Sequence, residues 1–279
     1  MTSLSTPPPL TQPLRDLAAW TNHFRSADVP VLAQTAEALE ALRANEDGVD
    51  ANGIGETIAN DPLMTLKVLA YVSVHRSSRV VTDPETVTAA LVMMGISPFF
   101  RAFGLQRTVQ ERLAGEPQAL EGLIETLKRA HRGANFALGF AVHRMDHDAA
   151  VIHAAALLHD FAEMLLWCFA PALALRIRDA QRADPTLRSG TAQRAVLNLE
   201  LADLQQSLMN AWRLPELLIR INDDRHAQSP NVRSVTLAVR LARHTAAGWD
   251  NPAIPDDVSD IATLLNLSEA AALQLVHEI

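Results

Sequence analysis

The sequence predicts an all-α protein built as a two-lobed helical bundle. Aromatic residues make up only 5% and glycines number 11, while alanine and leucine are abundant. Alternating β-branched and aromatic runs that mark strands are missing, and apolar residues recur at helical spacing throughout. With 279 residues, 48% hydrophobic and 20% charged, the chain can build a substantial core and lacks the composition of a disordered protein. At roughly 150 residues per domain it divides into about two units.

Residues 1–13, MTSLSTPPPLTQP, are rich in Ser, Thr and Pro, have little to bury, and read as a flexible tail. The amino-terminal lobe, residues 14–115, carries helices near residues 14–26, 30–45, 52–60, 63–76, 84–94 and 98–114. Asp61-Pro62 and Asp83-Pro84-Glu85 each place a capping carboxylate before a proline whose missing N–H is harmless in a first turn. The second of these helices runs to Met94 and stops at Gly95, in prospect a left-handed cap. Gly115-Glu116-Pro117 breaks the pattern and marks the lobe boundary. The second lobe, residues 116–279, has helices near residues 117–145, 149–169, 172–182, 191–211, 215–226 and 231–247, then two short ones. Loops fall from Asp184-Pro185 to Gly190, from Gln228 to Pro230 and from Trp249 to Asp256. No fixed repeat supports a solenoid.

The 24 Lys and Arg against 32 Asp and Glu give a net charge of −8, a field that opposes phosphate and argues against nucleic-acid binding. Arg176, Arg178 and Arg182 read as a solvated helix face. The longest apolar stretch, residues 149–175, is interrupted by His153, His159, Asp160, Glu163 and Pro171, so no membrane span of about 20 residues is expected. The amino terminus has neither the basic start nor the apolar core of a secretory signal, which points to the cytoplasm. Cys168, between Trp167 and Phe169, reads as an inert core thiol. Trp20, Trp212 and Trp249 read as core residues rather than interface anchors.

Ten histidines invite a metal reading. His23, His75, His244 and His277 stand isolated. His143 and His147 are one helical turn apart, but no third ligand lies near them in sequence, and Asp146 and Asp148 mark the helix end. The informative segment runs from Ile152 to Leu166. Leu158, Ala162, Leu165 and Phe169 bury one side, leaving His159 and Asp160 on an otherwise apolar helix. A buried charge needs a partner. Neighbouring helical residues diverge by about 100°, so the two can share an ion only if other helices bring ligands alongside.

The run LLHDFAEMLL at residues 157–166 resembles the LLHDIGKLLL segment of HD-superfamily proteins, and the surrounding chain resembles the HDOD domain, the HD-related output domain of bacterial signalling proteins. Pro30-Val31-Leu32, Ile58-Ala59-Asn60-Asp61-Pro62-Leu63 and Leu66-Lys67-Val68-Leu69 look like that domain's opening. Ala90 to Gly95 resembles its next turn, and Leu208 to Pro215, LMNAWRLP, its L-x-x-W-x-L-P signature. The likeness spans residues 29–245.

In catalytic HD phosphohydrolases a His on one helix, a His-Asp pair on a second and an Asp on a later helix hold a metal. The resemblance places the first His at His131 and the pair at His159-Asp160; the last Asp falls on Val239, a hydrocarbon that cannot coordinate a hard cation. The extra His expected before Trp212 is Leu201. Of a later His-His pair only His226 remains, with Arg225 at the first position. The Lys near a substrate phosphate is Glu163, which repels an anion. Metal-hydroxide hydrolysis is therefore expected to be lost. Glu163, Asp223 and Asp224 are the available substitutes, and the expected arrangement is a satisfied polar core in which His131, His159 and Asp160 hydrogen-bond one another. The resemblance thus implies a stand-alone, non-catalytic regulator without metal or cofactor. It would take its input in trans and recognise a protein partner or small ligand on a helical surface or in a groove between the lobes. The rival implication is a metal-dependent phosphohydrolase acting on a nucleotide or cyclic dinucleotide.

Overall fold

The computed structural model describes residues 8–75, 84–226 and 228–279. In the amino-terminal region α1 (Leu17–Arg25), α2 (Ala33–Arg43), α3 (Ala51–Ala59), α4 (Pro62–His75), α5 (Val87–Met94), α6 (Ile96–Ala102) and α7 (Val109–Arg112) follow one another. After Glu116 come α8 (Pro117–His143), α9 (Ala149–Leu157), α10 (Phe161–Phe169), α11 (Pro171–Ala183), α12 (Ser189–Leu197), α13 (Leu201–Ala211), α14 (Glu216–Ile221), α15 (Pro230–His244), α16 (Ile254–Leu265) and α17 (Glu269–Glu278). Among the described residues the only β feature is an isolated bridge between Val31 and Thr108. The all-α expectation therefore holds.

Local chemistry sets many of the helix starts. Asp61 is fully buried and accepts from the backbone N–H groups of Leu63 and Met64, both at 3.0 Å, and of Leu32 at 2.8 Å. One carboxylate thus caps α4 and ties the entry of α2 to it. Thr108 and Glu111 form a reciprocal capping box on α7. Gly95 ends α5 where the sequence predicts, but at φ 84° and ψ 155°, an extended positive-φ conformation that glycine adopts freely rather than the expected left-handed helical cap. Asp83 lies outside the described residues, and α5 begins at Val87 with the Thr86 hydroxyl accepting from Ala89, three residues later than the Asp-Pro-Glu signal suggests.

Three expected helices are divided. The 98–114 segment becomes α6 and α7, separated by a stretch that pairs with residue 31: Val31 N–H donates to Arg107 O and Val109 N–H to Val31 O, each at 2.9 Å. The 191–211 segment breaks where Asn198 adopts φ 66°, a conformation that asparagine tolerates better than most residues. The 149–169 segment breaks at residues 158–160, between α9 and α10. This apolar stretch, Ala149–Phe169, is long and apolar enough to cross a membrane by length and composition. It is two core helices, with 67% of its most apolar window buried in the fold.

The long helix α8 is the spine of the second lobe, flanked by α9, α10, α11 and α15. Two of its three glycines lie on the packed side: a Cβ on Gly122 would fall 2.5 Å from the Trp167 ring, and one on Gly133 would lie 3.5 Å from the Val239 backbone. The first helix, assigned by sequence to the amino-terminal lobe, packs on α13 of the second. Trp20 Nε1 donates to Leu197 O at 3.1 Å, and the hydroxyls of Thr21 and Ser207 lie 2.8 Å apart. Trp20 and Trp212 are core residues. Leu10, within the expected flexible tail, donates its N–H to Phe169 O at 2.8 Å and packs against the core; residues 1–7 lie outside the described part.

Candidate functional site

The break between α9 and α10 puts His159 and Asp160 in a turn rather than along a helix. Adjacent side chains there can converge, and His159 Nδ1 lies 3.2 Å from Asp160 Oδ1. Asp160 is only 8% exposed, and three further groups reach this pair. Arg129 on α8 donates from Nε to Asp160 Oδ2 at 3.0 Å and from Nη2 to Glu163 Oε2 at 2.7 Å. Arg243 on α15 donates from Nη2 to Asp160 Oδ1 at 2.6 Å. Asp224, in the short turn after α14, places Oδ1 3.8 Å from His159 Nε2 and accepts from the Thr236 hydroxyl at 3.0 Å.

Glu163 closes the cluster. It lies one turn into α10, and its Oε1 accepts from the Thr126 hydroxyl at 2.9 Å. Trp167 Nε1 donates to the same hydroxyl at 3.1 Å. Gly122, Thr126, Arg129 and Gly133 recur at i, i+4, i+7 and i+11, so one face of α8 supplies both the close approach and the polar contacts.

Charge balances across the network, with the cations Arg129, Arg243 and protonated His159 facing the carboxylates of Asp160, Glu163 and Asp224. Desolvation opposes the charged form of His159, but the hydrogen bond to Asp160 and the nearby carboxylate of Asp224 outweigh it and raise its pKa to about 9. Burial alone would raise the Asp160 pKa; the guanidiniums of Arg243 and Arg129, with His159, instead hold it well below the usual carboxylate range. The pKa of the Asp224 carboxyl is lowered by the His159 imidazolium beside it, against partial desolvation.

His131 is not part of this network, which corrects the expected three-way hydrogen bonding of His131, His159 and Asp160. Residues 129 and 131 are separated by about 200° around a helix, so only one of them can face Asp160. His131 lies towards Asn60 and Asp61 instead, with its Nε2 buried and unpartnered. Burial lowers its pKa, against the pull of the Asn60 backbone and Asp61. His153 has its pKa lowered first by burial and then by the charge of His131. His226 is 60% exposed and pairs at 3.1 Å with Asp223, which Arg225 also grips through Nε and Nη2 at 2.7 and 3.0 Å. The Asp224 substitute does join the site; Asp223 and His226 do not.

Val239 is buried against Gly133, and Arg243, one turn further along α15, is the residue that meets Asp160. Sequence reasoning missed both arginines. The available signal was the small-residue face of α8, whose spacing selects position 129 over position 131.

Two cavities flank the Glu163–Arg243 junction. One, of about 280 Å³, is lined by His159, Asp160, Asp203, Gln205, Asp224 and Arg243 among others. The other, of about 300 Å³, is lined by Thr126, Arg129, Leu166, Trp167, Ile177 and Arg243 among others. Both are lined by residues between 122 and 243. Arg243 is the residue of the ion network, with Glu163, that borders both, and its side chain is 49% exposed.

The donor set does not suit the metal ion of catalytic HD proteins. Among the described residues no three His, Cys, Asp or Glu side chains are grouped to hold one. Arg129 occupies the space between Asp160 and Glu163, and each Asp160 oxygen already accepts from a guanidinium. Cys168 is buried, and desolvation pushes its thiol up to about 12, in keeping with an inert core residue.

Comparison with solved structures finds the same fold at low identity. The MmoQ response regulator from Methylococcus capsulatus str. Bath superposes with a TM-score of 0.66 at 18% identity, covering 90% of this chain and 99% of that one. A virulence factor from Campylobacter jejuni subsp. jejuni gives 0.63 at 16% identity, covering 94% and 97%. No curated protein matches the chain. The HDOD domain model matches residues 29–228, with the His-Asp turn and its arginine on α8 inside that span, and the chain belongs to the HDOD family.

Proposed function

We propose that this is a non-catalytic regulatory protein of bacterial signal transduction. It would act in the cytoplasm by recognising a protein partner or a small ligand, with no metal, cofactor or nucleic acid. Family membership supports the signalling association. The observation that carries the non-catalytic reading is the engagement of both Asp160 oxygens by Arg129 and Arg243. A carboxylate so held is a structural anion, and lowering the pKa of a water requires an ion that this arrangement opposes. The two cavities bordered by Arg243 supply the recognition surface, because they offer polar and apolar walls side by side.

The test is elemental analysis of protein purified without added metal, together with hydrolysis of a generic phosphodiester such as bis-p-nitrophenyl phosphate with and without Mn²⁺. Less than a tenth of an ion per chain and no turnover are expected. One tightly held ion per chain, with turnover abolished by Asp160→Ala, would establish the rival phosphohydrolase. For the recognition surface, a photoreactive residue at Ser189, which borders both cavities, should crosslink one discrete species in the native cell. It should not do so when Arg243 is replaced by Glu.

A further inference from the structure

We propose that Arg129 and Arg243 are the residues that bar a divalent cation from the second lobe, their guanidiniums taking the electrostatic place of an ion beside Asp160. The proposal rests on the non-catalytic reading and assigns the cause of it to two positions. Helices α8 and α15 cross so that Gly133 meets Val239 and, one turn along each, Arg129 and Arg243 converge on opposite oxygens of one carboxylate. Arg129 also spans Asp160 and Glu163, so it both neutralises these carboxylates and keeps them apart.

A buried carboxylate pair without compensation is strongly unfavourable. A bound ion can supply that compensation only when present, whereas an arginine supplies it at every metal concentration, because its guanidinium stays charged. The lobe is thereby ordered independently of metal. Replacing the two arginines with the ligand types that a His-Asp turn lacks here should convert the network into a cation site. Arg129→His would add an imidazole from α8, and Arg243→Asp a carboxylate from α15, around Asp160 and Glu163.

The experiment compares the full chain with the Arg129→His/Arg243→Asp double variant, using Mn²⁺ alone as the probe. The double variant is expected to take up one Mn²⁺ per chain by electron paramagnetic resonance titration and to gain about 5 °C in Tm at saturating Mn²⁺. Adding Asp160→Asn should remove both effects. The wild type and the charge-preserving Arg129→Lys/Arg243→Lys variant should show neither. If the double variant is unfolded without metal, Mn²⁺ should restore its helical circular dichroism. A double variant that ignores Mn²⁺, folded or not, overturns the proposal. If the wild type is then metal-free and inactive, the regulatory reading survives that failure. A wild type that already binds Mn²⁺ through Asp160 sinks both.

Discussion

Arg243 and Asp160 lie 83 residues apart and meet at 2.6 Å, the shorter of the two guanidinium contacts that hold this carboxylate. Asp160 is buried, so its charge is sustained by these contacts rather than by water. Asp160→Ala leaves Arg129 facing Glu163 alone and frees Arg243. A loss of about 3–5 kcal/mol in urea unfolding is expected. A loss under about 1 kcal/mol would mean that the network contributes little net stability.

His159 supplies the pH dependence. Its folded pKa of about 9 lies above the ordinary 6.5, so its contribution is complete below pH 6.5 and disappears as pH rises through about 9. Across that window unfolding releases a proton, and stability should fall by up to roughly 1.4 kcal/mol per pH unit. Denaturation at pH 6.5, 7.5 and 8.5 measures the slope. His159→Gln should flatten it, and an unchanged slope in the variant would assign the effect to another group.

Gly122 faces Trp167 across the α8–α10 contact, and an added Cβ would lie 2.5 Å from the indole. Gly122→Ala should therefore destabilise the protein by about 1–3 kcal/mol through overpacking, although alanine favours helix intrinsically. A blue or red shift of tryptophan emission should accompany the loss. A gain in Tm would show that the helices separate without penalty.

Trp20 attaches α1 to the second lobe through Leu197 O. Trp20→Phe keeps an aromatic ring but leaves a buried carbonyl without its donor, and a loss of about 1–3 kcal/mol is expected. Hydrogen exchange should show faster opening of α1 than of α8. Equal protection in both helices would contradict a local attachment.

The sequence was most legible where structure depends on neighbours along the chain. The Asp61-Pro62 start of α4, the stop of α5 at Gly95 and the apolar faces of the helices follow from capping and periodicity alone. Breaks at Asn198 and at residues 158–160 were not legible in this way. Both interrupt segments whose apolar pattern continues across the break, and the shorter helices pack separately, α12 against α11, and α9 and α10 each against α8.

By itself the sequence determined the helical class, the family motifs and the presence of a His-Asp pair in apolar surroundings. Only the tertiary structure decided what meets that pair. Two residues along α8 change direction by about 200°, and one turn along α15 moves a side chain by about 5.4 Å. Which of His131 or Arg129, and of Val239 or Arg243, faces Asp160 therefore depends on how the helices are rotated and registered against one another. That register is set by close contacts such as Gly122 with Trp167 and Gly133 with Val239, made between residues far apart in the chain.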